Sequence, residues 1–246
     1  MSKTHLSLFS GIGGFDLAAE WAGFQTVGQC EWANYPTKVL EKHWTDVPRW
    51  RDIRALTKEN FYERTGLRTV DVISGGFPCQ PFSVAGKRRG VADDRYLWPE
   101  LLRIVQEIRP AWFVGENVAG IITMELDTVL SDLESSGYST QAFIIPACAK
   151  DAPHRRDRCA IVAHTESDGL QRFRAKGEQE CRARLKAGES KGCCKVHHRE
   201  KWRAEPGVGR VVNGISCRMD RIKCLGNAVV PQQFYPIFKA IADIEG

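Results

Sequence analysis

The chain has 246 residues, of which 43% are hydrophobic and 26% charged, and its formal net charge is +5. This length supports one substantial core with room for a small appended domain. No run of about 18 apolar residues is present, and residues 1–5 lack a signal-peptide pattern. Nine cysteines without a framework spacing suit a reducing compartment. These features exclude a membrane protein and a disulfide-rich secreted domain, and they predict a soluble, cytoplasmic protein with free thiols.

The excess positive charge lies in one segment, residues 164–210. This segment holds 12 of the 35 Lys and Arg but only 7 of the 30 Asp and Glu. A local basic excess favours a surface that meets a polyanion, because neutralising phosphates supplies most nonspecific nucleic-acid affinity. A solvated, partly disordered insert has the same composition. The segment also contains metal-type side chains, namely Cys181, Cys193, Cys194, His197 and His198. Their adjacent pairs lack the spacing that suits zinc, so we expect no metal site.

Strand-like and helical patterns alternate along the chain. Residues 5–9 indicate a buried strand, and the glycine turn at 10–14 leads into a helix that carries Phe15 to Trp21. The later elements are strands over 25–31, 70–74 and 111–115, helices over 33–43, 97–108 and 123–135, strands over 138–145 and 159–163, and a helix over 232–244. This alternation predicts right-handed crossovers and a mainly parallel sheet, with the last two strands as an antiparallel hairpin.

The glycine turn after the first strand indicates a nucleotide-type site, where a ligand can approach the backbone at a helix N-terminus. A dinucleotide fingerprint needs a third glycine where Asp16 stands, and no Gly-Lys-Ser/Thr follows to form a phosphate loop. The pattern therefore argues against a nicotinamide-dependent oxidoreductase. Glu31 ends the second strand, where an acid can bind both hydroxyls of a ribose, and Trp32 offers a ring face to adenine.

A constrained loop follows the strand at 70–74 and reads Gly-Gly-Phe-Pro-Cys-Gln-Pro-Phe-Ser over residues 75–83. Two prolines flank Cys79 and restrict the backbone, while Gly75 and Gly76 allow the chain to turn sharply. Such a loop can present Cys79 rigidly to a ligand as a nucleophilic thiolate. The alternative is an inert, partly buried thiol.

Several motifs, in this order, resemble those of the DNA (cytosine-5)-methyltransferase family. The turn Phe9-x-Gly11-x-Gly13-Gly14 is similar to its S-adenosylmethionine loop. Pro78-Cys79-Gln80 resembles the nucleophile motif, Glu116-Asn117-Val118 the second catalytic motif, Arg156-Asp157-Arg158 the paired-arginine motif, and Gly226-Asn227-Ala228-Val229-Val230-Pro231 the C-terminal motif. The resemblance covers most of the chain and is closest to compact bacterial or phage-type members. The family's Thr-x-Arg-Glu stretch is absent, and Arg218-Met219-Asp220-Arg221 stands in its place.

The resemblance implies an α/β fold: a Rossmann-like S-adenosylmethionine-dependent methyltransferase core, with a mostly parallel sheet and helices on both faces, plus a short, irregular target-recognition segment. It divides the chain into a catalytic and cofactor-binding domain at 1–163, a basic target-recognition segment at 164–210, and a C-terminal segment at 211–246 that returns to the catalytic domain. The cofactor is S-adenosyl-L-methionine. The residues implied to bind it are Phe9, Gly11, Ile12, Gly13, Gly14, Glu31, Trp32, Asp52, Ile53, Pro78, Leu97, Asn227 and Ala228.

The implied reaction methylates carbon 5 of a cytosine flipped out of double-stranded DNA. Cys79 would add to carbon 6 of the ring, and Glu116 would protonate or hydrogen-bond nitrogen 3. Arg156 and Arg158 would lie on one face of an extended segment, so that both could bind the same group, either the phosphate of the target nucleotide or the base carbonyl. The residues expected to meet DNA on a closing loop are Gln80, Ser83, Lys87, Arg88, Arg89 and Arg95.

Two other functions remain open from the sequence. One is a transfer-RNA cytosine-5 methyltransferase of the same fold, although the Cys-Phe-Thr signature of the family's RNA branch is missing. The other is a weakly active DNA-binding protein, against which the complete set of Cys79, Glu116, Arg156 and Arg158 argues. We expect a monomer without membrane contact, and a cognate restriction endonuclease encoded elsewhere as its functional partner in a restriction-modification system.

Overall fold

The computed structural model describes residues 2–78, 96–150, 155–165 and 218–244. Within these ranges one mixed sheet forms the centre of the protein. Its strands are β1 (Lys3–Leu8), β2 (Phe24–Cys30), β3 (Arg49–Trp50), β4 (Val72–Gly75), β5 (Trp112–Val118), β6 (Ser139–Ile145) and β7 (Arg158–His164). They lie in the order β3-β2-β1-β4-β5-β7-β6. The first five are parallel, whereas β7 runs antiparallel to both β5 and β6.

Helices cover both faces of this sheet. They are α1 (Gly14–Trp21), α2 (Asn34–His43), α3 (Lys58–Thr65), α4 (Trp98–Ile108), α5 (Ile121–Met124), α6 (Leu126–Ser135), α7 (Arg218–Asn227) and α8 (Pro231–Ile244), with short 3₁₀ helices at Ile53–Ala55 and Ala147–Lys150. Alternate residues of a strand face opposite sides. On β5, Phe113 accordingly enters the core under α4 and α6, while Trp112 and Val114 enter the core under α1 and α8. The predicted fold class is confirmed.

The C-terminal helix α8 packs back onto the first half of the chain, as its apolar spacing predicts. The ring centroid of Phe15 on α1 lies 4.9 Å from that of Phe234 and 6.1 Å from that of Phe238 on α8, in edge-on contacts. All three rings are buried. This packing brings the segment just before α8 to the end of the sheet at which α1 begins.

Most predicted elements are present, and one helix differs. The predicted hairpin is formed by β6 and β7. The helix predicted over 123–135 is instead divided into α5 and α6 at Glu125, whose φ of −142° is not helical. Apolar spacing cannot reveal this break, because Ile121, Val129 and Leu133 still face one core. Apart from residues 164 and 165, the predicted segment 164–210 lies outside the described residues, and so do its metal-type side chains.

Within the described ranges, none of the helices combines the length and the apolar character that a membrane crossing needs.

Two buried titratable side chains lie under the glycine turn and in the sheet. His5 contacts the hydroxyls of Thr26 at 3.1 Å and Ser74 at 2.7 Å, and burial lowers its pKa to about 3. Asp16 accepts hydrogen bonds from the Ser7 hydroxyl at 3.0 Å and from the Gln29 amide at 2.8 Å. Burial outweighs these bonds and raises the pKa of Asp16 to about 6. Folding therefore favours the neutral form of both groups.

Asp16→Asn is expected to change the pH dependence of stability. Between about pH 4 and 6 the folded chain holds a proton on Asp16 and none on His5. The unfolded chain holds a proton on His5 and none on Asp16. In the wild type, the contributions of Asp16 and His5 to the pH dependence of the unfolding free energy therefore cancel. Without Asp16, the free energy of unfolding should rise by about 1.4 kcal/mol per pH unit relative to the wild type. Urea unfolding at pH 4, 5 and 6 measures this slope, and parallel curves for the two proteins would contradict it.

Candidate active site

A cleft opens at the carboxyl ends of the parallel strands, where the strand order reverses between β1 and β4. This is the position at which open α/β sheets bind ligands. Two adjoining cavities, about 370 Å³ and 480 Å³, share Phe9 and Glu31 in their walls. Phe9 follows β1 with a φ of 53°, a left-handed conformation that residues with side chains rarely adopt. Together the cavities are large enough for a nucleoside with a substituent.

The glycine turn supplies one wall of the larger cavity. Gly11 has a φ of 56°, and a Cβ there would meet nothing within 4 Å, so a ligand can reach the backbone. Ile12 lines the same cavity. Gly13 and Gly14 line neither cavity: a Cβ at position 13 would lie 2.4 Å from the Trp44 ring. These two glycines permit close packing behind the turn.

Gly14→Ala is expected to destabilise the fold. A Cβ at this position would lie 2.3 Å from the carbonyl oxygen of Val229, and backbone cannot rotate away. Overpacking typically costs about 1–3 kcal/mol, which exceeds the gain of about 1 kcal/mol from replacing a helical glycine. Gly120→Ala is the matched control, because its Cβ would meet only the Met124 methyl group at 3.5 Å. Equal unfolding midpoints in urea for both variants would contradict the prediction.

Glu31 is fixed in the wall that both cavities share. One carboxylate oxygen accepts a hydrogen bond from the Gly11 N–H at 2.8 Å, and the other accepts from the Ala33 N–H at 2.7 Å. Each oxygen keeps a second lone pair, so the carboxylate can still accept from a ligand's hydroxyls. The acid predicted from the end of β2 therefore stands in the cleft in a defined orientation.

The smaller cavity carries the predicted adenine-binding residues. Trp32 is 72% exposed, so a planar ligand stacked on its ring would cover apolar surface. Ile53 is a buried residue of the same wall, and Asp52 accepts a hydrogen bond from the Arg54 N–H at 2.9 Å. Pro78 and Leu97 complete the predicted set in this wall.

The cavities also have walls that the sequence did not predict. The smaller one includes Cys30, Arg51 and Arg54, and the larger one includes Ala33, Asn34, Tyr35, Pro36, Lys38, Gly76, Asp220, Lys223 and Cys224. Arg51 and Arg54 flank the predicted Asp52–Ile53 pair, so proximity in sequence could have indicated them. The α7 residues had no comparable signal, because no amphipathic pattern marks that helix. Of the predicted C-terminal pair, Asn227 lines the larger cavity and Ala228 does not.

Next to this cleft, Glu116 near the end of β5 faces Arg158 at the start of β7. The Arg158 Nε lies 2.7 Å from the Glu116 Oε1, and only 17% and 13% of their side chains are exposed. Burial raises the pKa of Glu116, while the charges of Arg158 and then Arg156 oppose that rise. Its other oxygen faces Gly76, where a Cβ would come within 3.2 Å. The site thus holds a carboxyl group with increased proton affinity at the carboxyl end of β5.

The loop before Cys79 is tied to the same strand. The Asn117 side-chain amide donates to the Phe77 carbonyl at 3.1 Å, so this side chain holds the start of the loop. Cys79 itself lies outside the described residues. So do the predicted DNA-facing residues Gln80, Ser83, Lys87, Arg88, Arg89 and Arg95.

The two motif arginines have different partners. β7 begins at Arg158, and Arg156 precedes it with a φ of 38°. The prediction that both lie on one face of an extended segment is therefore wrong, because the left-handed backbone turns Arg156 aside. Its Nη2 donates to the carbonyls of Gly226 at 2.8 Å and Ala228 at 2.7 Å.

In the part of the chain that the structure describes, no group of three or more His, Cys, Asp or Glu side chains could hold a metal ion.

Comparisons with known proteins agree with this geometry. The family model for C-5 cytosine-specific DNA methylase matches residues 4–203. The chain is 33% identical to the type II methyltransferase M.BsuFI of Bacillus subtilis over 69% of this chain and 41% of that protein. It is 30% identical to the type II methyltransferase M.HhaI of Haemophilus parahaemolyticus over 68% of this chain and 51% of that protein.

A solved structure is also similar. It is described as a DNA modification methyltransferase encoded within a prophage of Escherichia coli, with 25% identity and a TM-score of 0.57 over 67% of this chain and 47% of that one. The chain thus spans about half the length of the relatives it matches, or less. The match of the family model to most of the sequence confirms the resemblance seen in the motifs. The chain belongs to the C-5 cytosine-specific DNA methylase family.

Proposed function

We propose that this protein transfers a methyl group from S-adenosyl-L-methionine to carbon 5 of a cytosine flipped out of double-stranded DNA. The observation that carries the proposal is the Glu116–Arg158 pair, which holds a carboxyl group of raised pKa at the sheet edge beside the cleft. A carboxyl of this kind suits proton donation to a ring nitrogen, which the methylation of cytosine requires.

The cleft residues fit the cofactor. Glu31 keeps free lone pairs for the two ribose hydroxyls, and Trp32 and Ile53 can enclose the adenine ring, with Asp52 at its edge. The open backbone at Gly11 and the side chain of Asn227 would hold the amino-acid end in the larger cavity. When bound, the cofactor supplies an electrophilic methyl group on a sulfonium centre.

The remaining steps fall to the protein's own groups. The Cys79 thiolate would form a bond to carbon 6 while Glu116 gives a proton to nitrogen 3, which makes carbon 5 nucleophilic. Arg158 would keep the Glu116 carboxyl in place at 2.7 Å. After the methyl group has joined carbon 5, loss of the carbon 5 proton, release of the Cys79 thiolate and return of the nitrogen 3 proton to Glu116 restore the ring and the protonated acid.

Methyl transfer from labelled S-adenosylmethionine to mixed-sequence duplex DNA tests this proposal, with transfer RNA as the parallel substrate. We expect label on duplex DNA, recovered as 5-methylcytosine after digestion. Label on transfer RNA alone would favour the RNA methyltransferase, and cofactor binding without transfer to either substrate would favour the weakly active DNA-binding protein. We also propose that the protein acts as a monomer in a cytoplasmic restriction-modification system whose endonuclease is encoded elsewhere.

A further inference from the structure

One nitrogen of the Arg156 guanidinium group, Nη2, is committed to protein backbone. This nitrogen carries two N–H donors, and they reach the carbonyls of Gly226 at 2.8 Å and Ala228 at 2.7 Å. The residue between these two carbonyls is Asn227, which lines the larger cavity. Arg156 therefore holds the backbone on both sides of a cavity residue.

A second side chain makes the reciprocal connection. Gln233 on α8 is 1% exposed, and its amide nitrogen donates to the Ile145 carbonyl at 2.7 Å and to the Arg156 carbonyl at 3.2 Å. Arg156 thus reaches from the start of β7 to the segment before α8, and Gln233 reaches back from α8 to the same residue. We call this pair, Arg156 with Gln233, the clasp.

The segment held by the clasp touches both halves of the site. The Val229 carbonyl lies so close to Gly14 that a Cβ there would be 2.3 Å away, and a Val229 methyl group would lie 3.8 Å from a Cβ at Gly76. Gly14 begins α1 behind the glycine turn, and Gly76 adjoins the Glu116 carboxyl. Val229 therefore contacts both the start of α1 and the loop beside Glu116, and Asn227 of the same segment lines the larger cavity.

We propose that Arg156 and Gln233 are positioning residues, which hold residues 226–229 against the cofactor cleft. The inference rests on the proposed function for the identity of the cofactor. It assigns the two arginines of the motif to different tasks, because Arg158 orients Glu116 whereas Arg156 sets the position of Asn227.

The test measures the dissociation constant of S-adenosylmethionine by calorimetry without DNA, and then kcat and KM on duplex DNA. Arg156→Met removes both hydrogen bonds to the segment before α8, and it should weaken cofactor binding about tenfold, which is the scale of one charge-assisted hydrogen bond. At saturating cofactor, kcat should fall less than about threefold, because the lost interactions stabilise the ground state and the transition state equally. Gln233→Met should act in the same direction, and Arg156→Lys should recover part of the affinity through its ammonium donors.

Arg155→Met is the matched control, since this neighbouring guanidinium is 82% exposed and pairs only with Asp157 among the described salt bridges. It should leave the dissociation constant unchanged. Unchanged cofactor affinity in Arg156→Met and Gln233→Met would overturn the inference, and so would a loss of DNA affinity or kcat alone in Arg156→Met. If the wild type binds cofactor but methylates nothing, the proposed function fails while the calorimetry still decides the inference. If the wild type binds no cofactor, both fail.

Discussion

Cys79→Ala should abolish methyl transfer to DNA, with a loss on the order of 10⁴-fold or more, because enzymes that lose the nucleophile of a covalent mechanism lose most of their rate. Addition of the thiolate to carbon 6 is the step that makes carbon 5 reactive, and an alanine methyl group cannot add. Cofactor binding should stay within about twofold of the wild type, because Cys79 is not needed to hold the nucleoside. Calorimetry and labelled methyl transfer measure the two quantities separately.

A duplex that contains 5-fluorocytosine tests the covalent step directly. Fluorine replaces the proton that must leave carbon 5, so the thiolate cannot be released and the adduct persists. The wild type should form a complex that survives denaturing electrophoresis, and Cys79→Ala should form none. Cys148→Ala is the matched control, because Cys148 is an exposed free thiol outside the cleft. An adduct in Cys79→Ala, or its loss in Cys148→Ala, would assign the nucleophile elsewhere.

The succession of strands and helices along the chain could be predicted because strand and helix periods differ so clearly in this sequence. The strand at 70–74 and the helix at 97–108 appear with small shifts, as β4 and α4. β3 has only two residues, Arg49–Trp50, and pairs with Gln29 and Cys30. Two residues show no alternation, so no pattern could indicate this strand.

The cofactor cleft was partly predictable because several of its residues follow strand ends, whereas the partners of Arg156 could not be predicted because they are distant in sequence. Glu31 directly follows β2, and Gly11 lies three residues beyond the end of β1; the sheet brings such positions together. Asp52 was expected only from the family resemblance. The direction of Arg156 depends on a φ of 38° and on carbonyls 70 and 72 positions further along the chain. Neither the backbone turn nor a tertiary partner so distant in sequence leaves a local pattern, so alternation suggested the wrong partner.

Glu116→Gln should lower kcat by about 10²–10⁴, the usual contribution of a positioned general acid. The amide keeps the shape of the carboxyl, and one of its N–H donors can still hydrogen-bond nitrogen 3 without transferring a proton. Glu107→Gln is the matched control, because Glu107 also pairs with an arginine, Arg103, at 2.8 Å, but on α4 away from the cleft. Equal rates for the two variants would show that Glu116 does not supply the proton.

The pH dependence of kcat tests the same role through its sign. Burial raises the pKa of Glu116, and Arg158 followed by Arg156 opposes the rise. The protonated carboxyl is the active form, so the rate should fall as pH increases through this pKa. Arg158→Met removes the main opposing charge, and the alkaline limb should move to higher pH because the carboxyl then holds its proton more tightly. In Glu116→Gln the alkaline limb should disappear. An alkaline limb that survives this substitution would belong to another group.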